Sequence, residues 1–293
     1  MKKQGDNVII LLETLKEANQ VKIMTLMDNL PGAQKSLQAE HGLSFFVETE
    51  HVKILFDFGS GIHTLENAAK LNVKLSQIDY SAGSHGHYDH AGGYPFFAEA
   101  GLTCPLVTGR GYFEEKYALS GRKAAFLGAG FDESFLAGKH IPHIQCRDIL
   151  PLAEGCWALG GFKRTREFEA VPERFVIRRE EKWVPDLFED EICLALEEKG
   201  GLTVILGCSH PGILNILDRV KEQFSLPIRA VVGGTHMAGA DRRRIEKTIQ
   251  AMKEMGIWLL GFNHCSGALL REMLDGDPSL DTVYLGAGDC LFL

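Results

Sequence analysis

The chain has 293 residues, 45% hydrophobic and 24% charged, with a formal net charge of −8. That length and composition suit a soluble α/β domain with a substantial core, and the lack of a basic tract argues against broad nucleic-acid binding. The apolar run Val8–Leu12 is too short to cross a bilayer, and no small-residue cleavage site follows it. Seven widely spaced cysteines with no Cys-x-x-Cys pattern point to reduced thiols. The expectation is a cytoplasmic protein with a small-molecule substrate and neither membrane nor nucleic acid as partner.

In chain order, residues 7–18 read as an amphipathic helix and Val21–Asp28 as a strand. Gly42–Thr49 and Val52–Asp57 read as a strand pair, with a helix over Ile62–Asn72. Ile78–Ala82 is a short buried strand. It leads into Ser84-His85-Gly86-His87-Tyr88-Asp89-His90-Ala91-Gly92-Gly93. Three imidazoles and a carboxylate within six residues are hard to bury without a shared partner, and they suit zinc, iron or manganese. In an extended segment i and i+2 share a face, so His85 and His87 converge. Gly86 leaves no side chain between them, and Gly92 and Gly93 are expected to turn Asp89 and His90 back towards the same point.

Pro95–Ala100 reads as a short helix. Residues 109–190 then break the rhythm, mixing glycine, aromatic and charged residues. A structureless loop of that length is implausible in a compact domain. The stretch reads as a cap with short elements beside the metal site, of the kind that selects substrate and excludes water; the other reading is a peripheral extension. Beyond it, Leu194–Glu197 and Leu202–Leu206 are paired strands. Ile213–Gln223, Asp241–Met255 and Ala268–Leu274 are helices, with strands at Ile228–Val232 and Trp258–Phe262. Thr282–Leu285 and Cys290–Leu293 are expected to close the fold as a hairpin.

Three more strand ends carry histidine: Gly207-Cys208-Ser209-His210, Gly233-Gly234-Thr235-His236 and Asn263-His264-Cys265-Ser266-Gly267. Strand ends of this kind line active sites in α/β sheets. Three in succession, in a chain that already has a metal loop, point to one shared site.

The His-x-His-x-Asp-His pattern at 85–90 resembles the metallo-β-lactamase superfamily. With Glu40-His41-Gly42-Leu43-Ser44 and the three histidine segments, nearly the whole chain resembles one subgroup. That subgroup is named for 7,8-dihydropterin-6-methyl-4-(β-D-ribofuranosyl)aminobenzene-5′-phosphate synthase. The resemblance implies an αββα sandwich as a single domain over 1–293, with 109–190 as the cap. It implies two divalent metal ions, zinc before manganese or iron. His85 and His87 would serve one, Asp89 and His90 the other, and His210 and His264 carry over as further ligands. A bridging Asp is usual in the family; here Cys208 stands where it is expected, as a buried thiol or a soft ligand.

Metal pairs of this kind acidify water and clamp phosphoryl or carbonyl oxygens. The expected activity is a metal-dependent hydrolase or transferase acting on a phosphorylated or anionic substrate, with a pterin-pathway phosphate ester or a related synthase reaction included. Asp89 is read as ligand and catalytic orienter, and His236 as a catalytic, substrate-facing group rather than a ligand. Arg164, in a segment resembling the subgroup's Arg-containing stretch before Glu-Phe-Glu, is read as the phosphate-binding guanidinium. Asp190 is read as a solvated charge rather than a group approaching the metals. The alternatives are a di-iron redox protein of the same fold, though no flavodoxin-like domain or short iron-binding pattern follows, and a non-catalytic metal-binding module.

Overall fold

The computed structural model describes residues 21–275 and 277–293, so the helix expected over 7–18 lies outside the described residues. The strands are β1 (Lys22–Met27), β2 (Ser44–Glu48), β3 (Lys53–Phe56), β4 (Tyr80–Gly83), β5 (Leu106–Thr108), β6 (Lys116–Ser120), β7 (Lys123–Phe126), β8 (His143–Gln145) and β9 (Ile149–Ala153). They continue as β10 (Cys156–Leu159), β11 (Phe175–Arg179), β12 (Lys182–Pro185), β13 (Cys193–Glu198), β14 (Gly201–Leu206), β15 (Ile228–Gly234), β16 (Leu259–Asn263), β17 (Asp281–Tyr284) and β18 (Cys290–Phe292). The α-helices are α1 (Ile62–Lys70), α2 (Tyr88–Ala91), α3 (Tyr94–Glu99), α4 (Glu133–Gly138), α5 (Ile213–Gln223), α6 (Arg242–Glu254) and α7 (Ala268–Asp275).

Two seven-stranded sheets run β18-β1-β2-β3-β4-β5-β8 and β17-β16-β15-β14-β13-β10-β9. Their strands are apolar on both faces, as strands covered on both sides must be. Period-two alternation then sorts the side chains. Phe45, Val47, Ile54 and Phe56 of the first sheet meet Leu194, Leu196, Ile205 and Val232 of the second in a core between the sheets. Met24, Leu26, Phe46 and Leu55 face outward, where Ala68, Phe97 and Leu136 of α1, α3 and α4 cover them.

On the far side, Val204, Leu206 and Val231 pack under α5, α6 and α7. Helix α5 buries Ile213, Leu214, Ile216, Leu217 and Val220, a one-sided stripe at helical spacing. Asp241 caps α6 by accepting the Arg244 amide at 2.7 Å. The layers are therefore helix, sheet, sheet, helix, an αββα sandwich.

Three expectations need correction. Thr282–Leu285 and Cys290–Leu293 do not form a hairpin: β17 pairs in parallel with β16, whereas β18 pairs with β1 in the other sheet. The chain crosses between sheets there, with Gly286 and Gly288 in the crossing.

Gly92 and Gly93 do not make the turn after His87. One helical turn, α2, carries Asp89 and His90 round, and both glycines have φ in the ordinary helical region. Crowding selects Gly93, because a Cβ there would lie 1.9 Å from the Phe58 carbonyl oxygen.

Residues 109–190 are not one insertion. Strands β8, β9 and β10 extend the two main sheets, and a separate four-stranded sheet, β12-β11-β6-β7, comes from 116–126 and 175–185. Among the described residues, no helix is long and apolar enough to cross a membrane.

Asn67 on α1 ties this framework to the loop that carries His41. Its buried amide donates to the carbonyls of Leu26 and Gln38, both at 2.8 Å, and accepts the Gln38 amide at 2.9 Å. Asn67→Ala is expected to cost about 2–3 kcal/mol, since three hydrogen bonds go and buried backbone groups lose their partner. Urea unfolding will show this as a lower midpoint at unchanged slope; an unchanged midpoint contradicts it.

Candidate metal centre and substrate wall

The parallel strands of both sheets deliver their carboxyl ends to one point. β3 ends at Asp57, β4 at the 84–90 loop, β14 at Cys208–His210, β15 at His236 and β16 at His264. Asp57, Ser209, His236 and His264 all have positive φ, between 49° and 62°. Non-glycine residues adopt that conformation rarely, and such strain clusters at functional sites.

Two donor clusters result. In the first, single ligand atoms of His85, His87 and His210 all lie within 4.8 Å of one another. The Nε2 atoms of His85 and His87, and both ring nitrogens of His210, are buried without a hydrogen-bond partner among the described residues. Burial holds all three imidazoles below their usual pKa, His87 at about 3, so they are neutral near pH 7. Four orphaned nitrogens in so small a volume are costly unless something binds them. Neutral imidazoles in this array fit a divalent ion.

In the second cluster, His90 Nε2 lies 3.1 Å from His264 Nε2 and 3.1 Å from Cys208 Sγ. Asp89 Oδ2 lies 3.3 Å from His264 Nε2 and 3.1 Å from His41 Nε2. The six residues expected as ligands thus lie close together, His85 with His87 and Asp89 with His90 as the resemblance implied, with His210 beside the first pair and His264 beside the second. Cys208 sits among them, buried but within reach of a metal donor position. The His41 side chain, largely exposed, was named only as part of a motif; nothing in its spacing marks it as a neighbour of Asp89.

The backing groups were not legible in the sequence. Asp57 accepts the Ser84 amide and hydroxyl, each at 2.7 Å, and His90 Nδ1–H at 2.6 Å. The Ser84 oxygen in turn accepts His85 Nδ1–H at 2.9 Å, and Asn29 Oδ1 accepts His264 Nδ1–H at 2.9 Å. Each of these three imidazoles is left with Nε2 facing the site, which fixes its tautomer for metal binding. Glu191 accepts the amides of Ser209 and His210 at 2.7 and 3.2 Å.

Asp190 is not a solvated charge. It is buried, accepts the Gly86 amide at 2.7 Å, and pairs at 3.0 Å with Lys116, which also holds Asp186 at 2.8 Å.

A cavity of about 480 Å³ opens onto both clusters, with Phe175 from the small sheet over it. Its walls include His236, Arg174 and Arg244. His236 lies beside His210, ring centroids 4.4 Å apart. Burial, then Arg244 and Arg174, push its imidazole down to about 4. Arg164 is elsewhere: it is exposed, donates to the Leu187 carbonyl and does not line this cavity. The arginines on the cavity wall are Arg174 and Arg244, and the Nε of Arg244 is buried with no partner among the described residues.

Residues 37–213 match the family described as the metallo-beta-lactamase superfamily. The chain belongs to the metallo-β-lactamase superfamily. It is 30% identical, over 95% of its length and 98% of the relative's, to 7,8-dihydropterin-6-methyl-4-(beta-D-ribofuranosyl)-aminobenzene-5′-phosphate synthase of Methanocaldococcus jannaschii. Among solved structures, Tm1679, described as a metal-dependent hydrolase of the beta-lactamase superfamily, superposes with a TM-score of 0.79. It is 30% identical, over 92% of this chain and 98% of that one. The metallo-β-lactamase fold protein YhfI from Bacillus subtilis shares the fold, with a TM-score of 0.58 at 14% identity over 94% of this chain and all of that one.

Within this metallo-β-lactamase fold, Gly86 leaves no room for bulk between His85 and His87. A Cβ there would lie 2.0 Å from the Tyr112 carbonyl oxygen and 3.4 Å from Asp190 Oδ2. Gly86→Ala is expected to lower zinc affinity by tenfold or more, because it displaces the backbone between His85 and His87. Titration with a competing chelator measures this, and an unchanged dissociation constant contradicts it. In the native protein, zinc at a hundredfold excess over its dissociation constant should stabilise the fold by about 2.7 kcal/mol. The corresponding rise in melting temperature should vanish with excess chelator; an unaltered melting temperature contradicts metal binding by the orphaned nitrogens.

Proposed function

We propose that this protein is a metal-dependent hydrolase or transferase acting on a small phosphorylated or anionic substrate. The observation that carries the reading is the cavity itself. Donor clusters with orphaned imidazole nitrogens form one side, and Arg174 and Arg244 lie on its wall, neither in an ion pair among the described residues. In a chain of net charge −8, two guanidiniums on one wall concentrate positive potential where an anion would sit.

His85, His87 and His210 would hold one ion, and Asp89, His90 and His264 a second, with Cys208 beside them. Imidazole and carboxylate donors favour zinc, with manganese or iron as the other candidates. Divalent ions so held would supply Lewis acidity and acidify water.

The chain's own groups do the rest. Arg174 and Arg244 bind the anionic group and set the substrate's direction. Phe175 and Phe188 exclude bulk water around His87 and His210. Asp89, held between His41 and His264, orients the groups at the second cluster. His236 is neutral at pH 7, so its N–H stabilises charge that develops on the reacting or leaving oxygen. Similarity to a synthase whose name contains a ribofuranosyl 5′-phosphate supports a phosphate ester as substrate. The proposal includes a cytoplasmic setting, with neither membrane nor nucleic acid as partner.

The test is turnover of metal-loaded protein on phosphomonoesters, phosphodiesters, lactones and pterin precursors. With the best phosphorylated substrate, Arg244→Gln should raise KM at least tenfold, the loss of one charged hydrogen bond at about 1.5–3 kcal/mol. An unchanged KM sinks the anion-binding role. His236→Ala should keep its metal while kcat falls about 10²–10³-fold, the effect of removing one donor to a developing oxyanion. Metal falling in step with activity would make His236 a ligand instead. Asp89→Ala should abolish turnover while leaving the unfolding transition nearly unchanged; full activity in metal-replete protein rules out its role.

A further inference from the structure

Cys208 follows β14 and Cys265 follows β16, and β15 runs between those two strands. Neighbouring strands lie about 4.8 Å apart, so side chains on next-but-one strands are normally kept apart by the strand between. Here the intervening residue is Gly234. A Cβ there would lie 2.7 Å from Cys265 Sγ and 3.4 Å from Cys208 Cα. Without it, the Cys265 side chain reaches across the end of β15. Its Sγ is 3.7 Å from the Cys208 carbonyl oxygen and within 4.8 Å of Cys208 Sγ. Both cysteines line the cavity, so a small oxidant reaches them from the substrate side. Cys146, Cys156 and Cys193, by contrast, are buried in the core.

We propose that Cys208 and Cys265 form a peroxide-sensitive thiol pair whose disulfide switches off the metal centre. The consequence for metal rests on the function proposed above; the bond itself does not. Cys265 is the more exposed of the two, and its sulfur accepts the His236 amide at 3.2 Å. It attacks the peroxide first. The O–O bond breaks, one oxygen leaves as water, and the other remains on Cys265 as a sulfenic acid. Cys208 then attacks that sulfur, the S–O bond breaks and a second water leaves. Two thiols and one peroxide thus give one disulfide and two waters.

The bond draws Cys208 Sγ away from its position 3.1 Å from His90 Nε2 and strains the backbone next to His264. His90 and His264 lose the packing that holds their imidazoles in place, and metal is retained less well.

The test is hydrogen peroxide treatment of the metal-loaded protein and of the chelated protein, then alkylation of remaining thiols, peptide mass spectrometry and metal analysis. The expected result is a peptide linking 208 to 265, two hydrogens lighter and cleaved by dithiothreitol. Bound metal falls as the link accumulates and returns after reduction. Cys265→Ser should form no link and keep its own untreated metal level through the same treatment. Free thiols at both positions, sulfinic acid in place of the link, or pairing with another cysteine overturns the proposal. A link that forms at constant metal content overturns the switch. Protein that never takes up metal contradicts the proposed function instead, and the linked peptide from chelated protein still decides the thiol chemistry.

Discussion

The site depends on one buried carboxylate. Asp57 ends β3 with φ at 59°, a conformation that costs on the order of 1–3 kcal/mol for a non-glycine residue. That strain turns its side chain under the 84–90 loop. There it accepts from the Ser84 amide, the Ser84 hydroxyl and His90. One carboxylate therefore fixes a backbone, one imidazole directly and a second imidazole through Ser84. Without it, the Nδ1 protons of His85 and His90 would have no common anchor, and the direction of each Nε2 would be left to chance.

A second buried charge set joins the small sheet to the same loop. Lys116 on β6 pairs with Asp186 and Asp190, and Asp190 holds the Gly86 amide between two of the proposed ligands. The Lys116 ammonium also lies 5.0 Å from the ring of Phe188, which stacks on His210 at 3.9 Å. Buried ion pairs contribute little net stability, but removing one partner is costly because the other charge is stranded. The arrangement makes the small sheet and the donor array one mechanical unit. Sheet β12-β11-β6-β7 is thereby held over the cavity rather than hanging beside it.

Much of this was legible in the sequence, because periodicity and local chemistry carry it. The strand–helix alternation of 193–275 follows from apolar stripes, and Asp241 marks the start of its helix. The clustering of the proposed ligands was legible because histidine is hard to bury without a partner, and each candidate follows an apolar strand. What failed were features set by distant contacts. Arg164 sits in a motif-like segment, yet its guanidinium turns to the Leu187 carbonyl, while Arg174 comes from the turn before β11 and Arg244 from the first turn of α6. Asp190 looks solvated within Phe188-Glu189-Asp190-Glu191, and only its pairing with Lys116, 74 residues away, buries it. The crossing of 285–289 between sheets was invisible because two short strands near each other in sequence look like a hairpin.

The central claim is that one carboxylate and its hydrogen-bonded neighbours aim the imidazole Nε2 atoms at two adjacent metal positions. Anomalous diffraction at the zinc edge from crystals of zinc-loaded protein tests it most directly. The account predicts two peaks about 3.5–4 Å apart. One should lie ~2.0–2.1 Å from Nε2 of His85 and His87 with His210 as third ligand, and the other should lie among Asp89, His90 and His264. A single peak away from these residues, or coordination through Nδ1 of His85 or His90 with the Asp57 bonds broken, would contradict it.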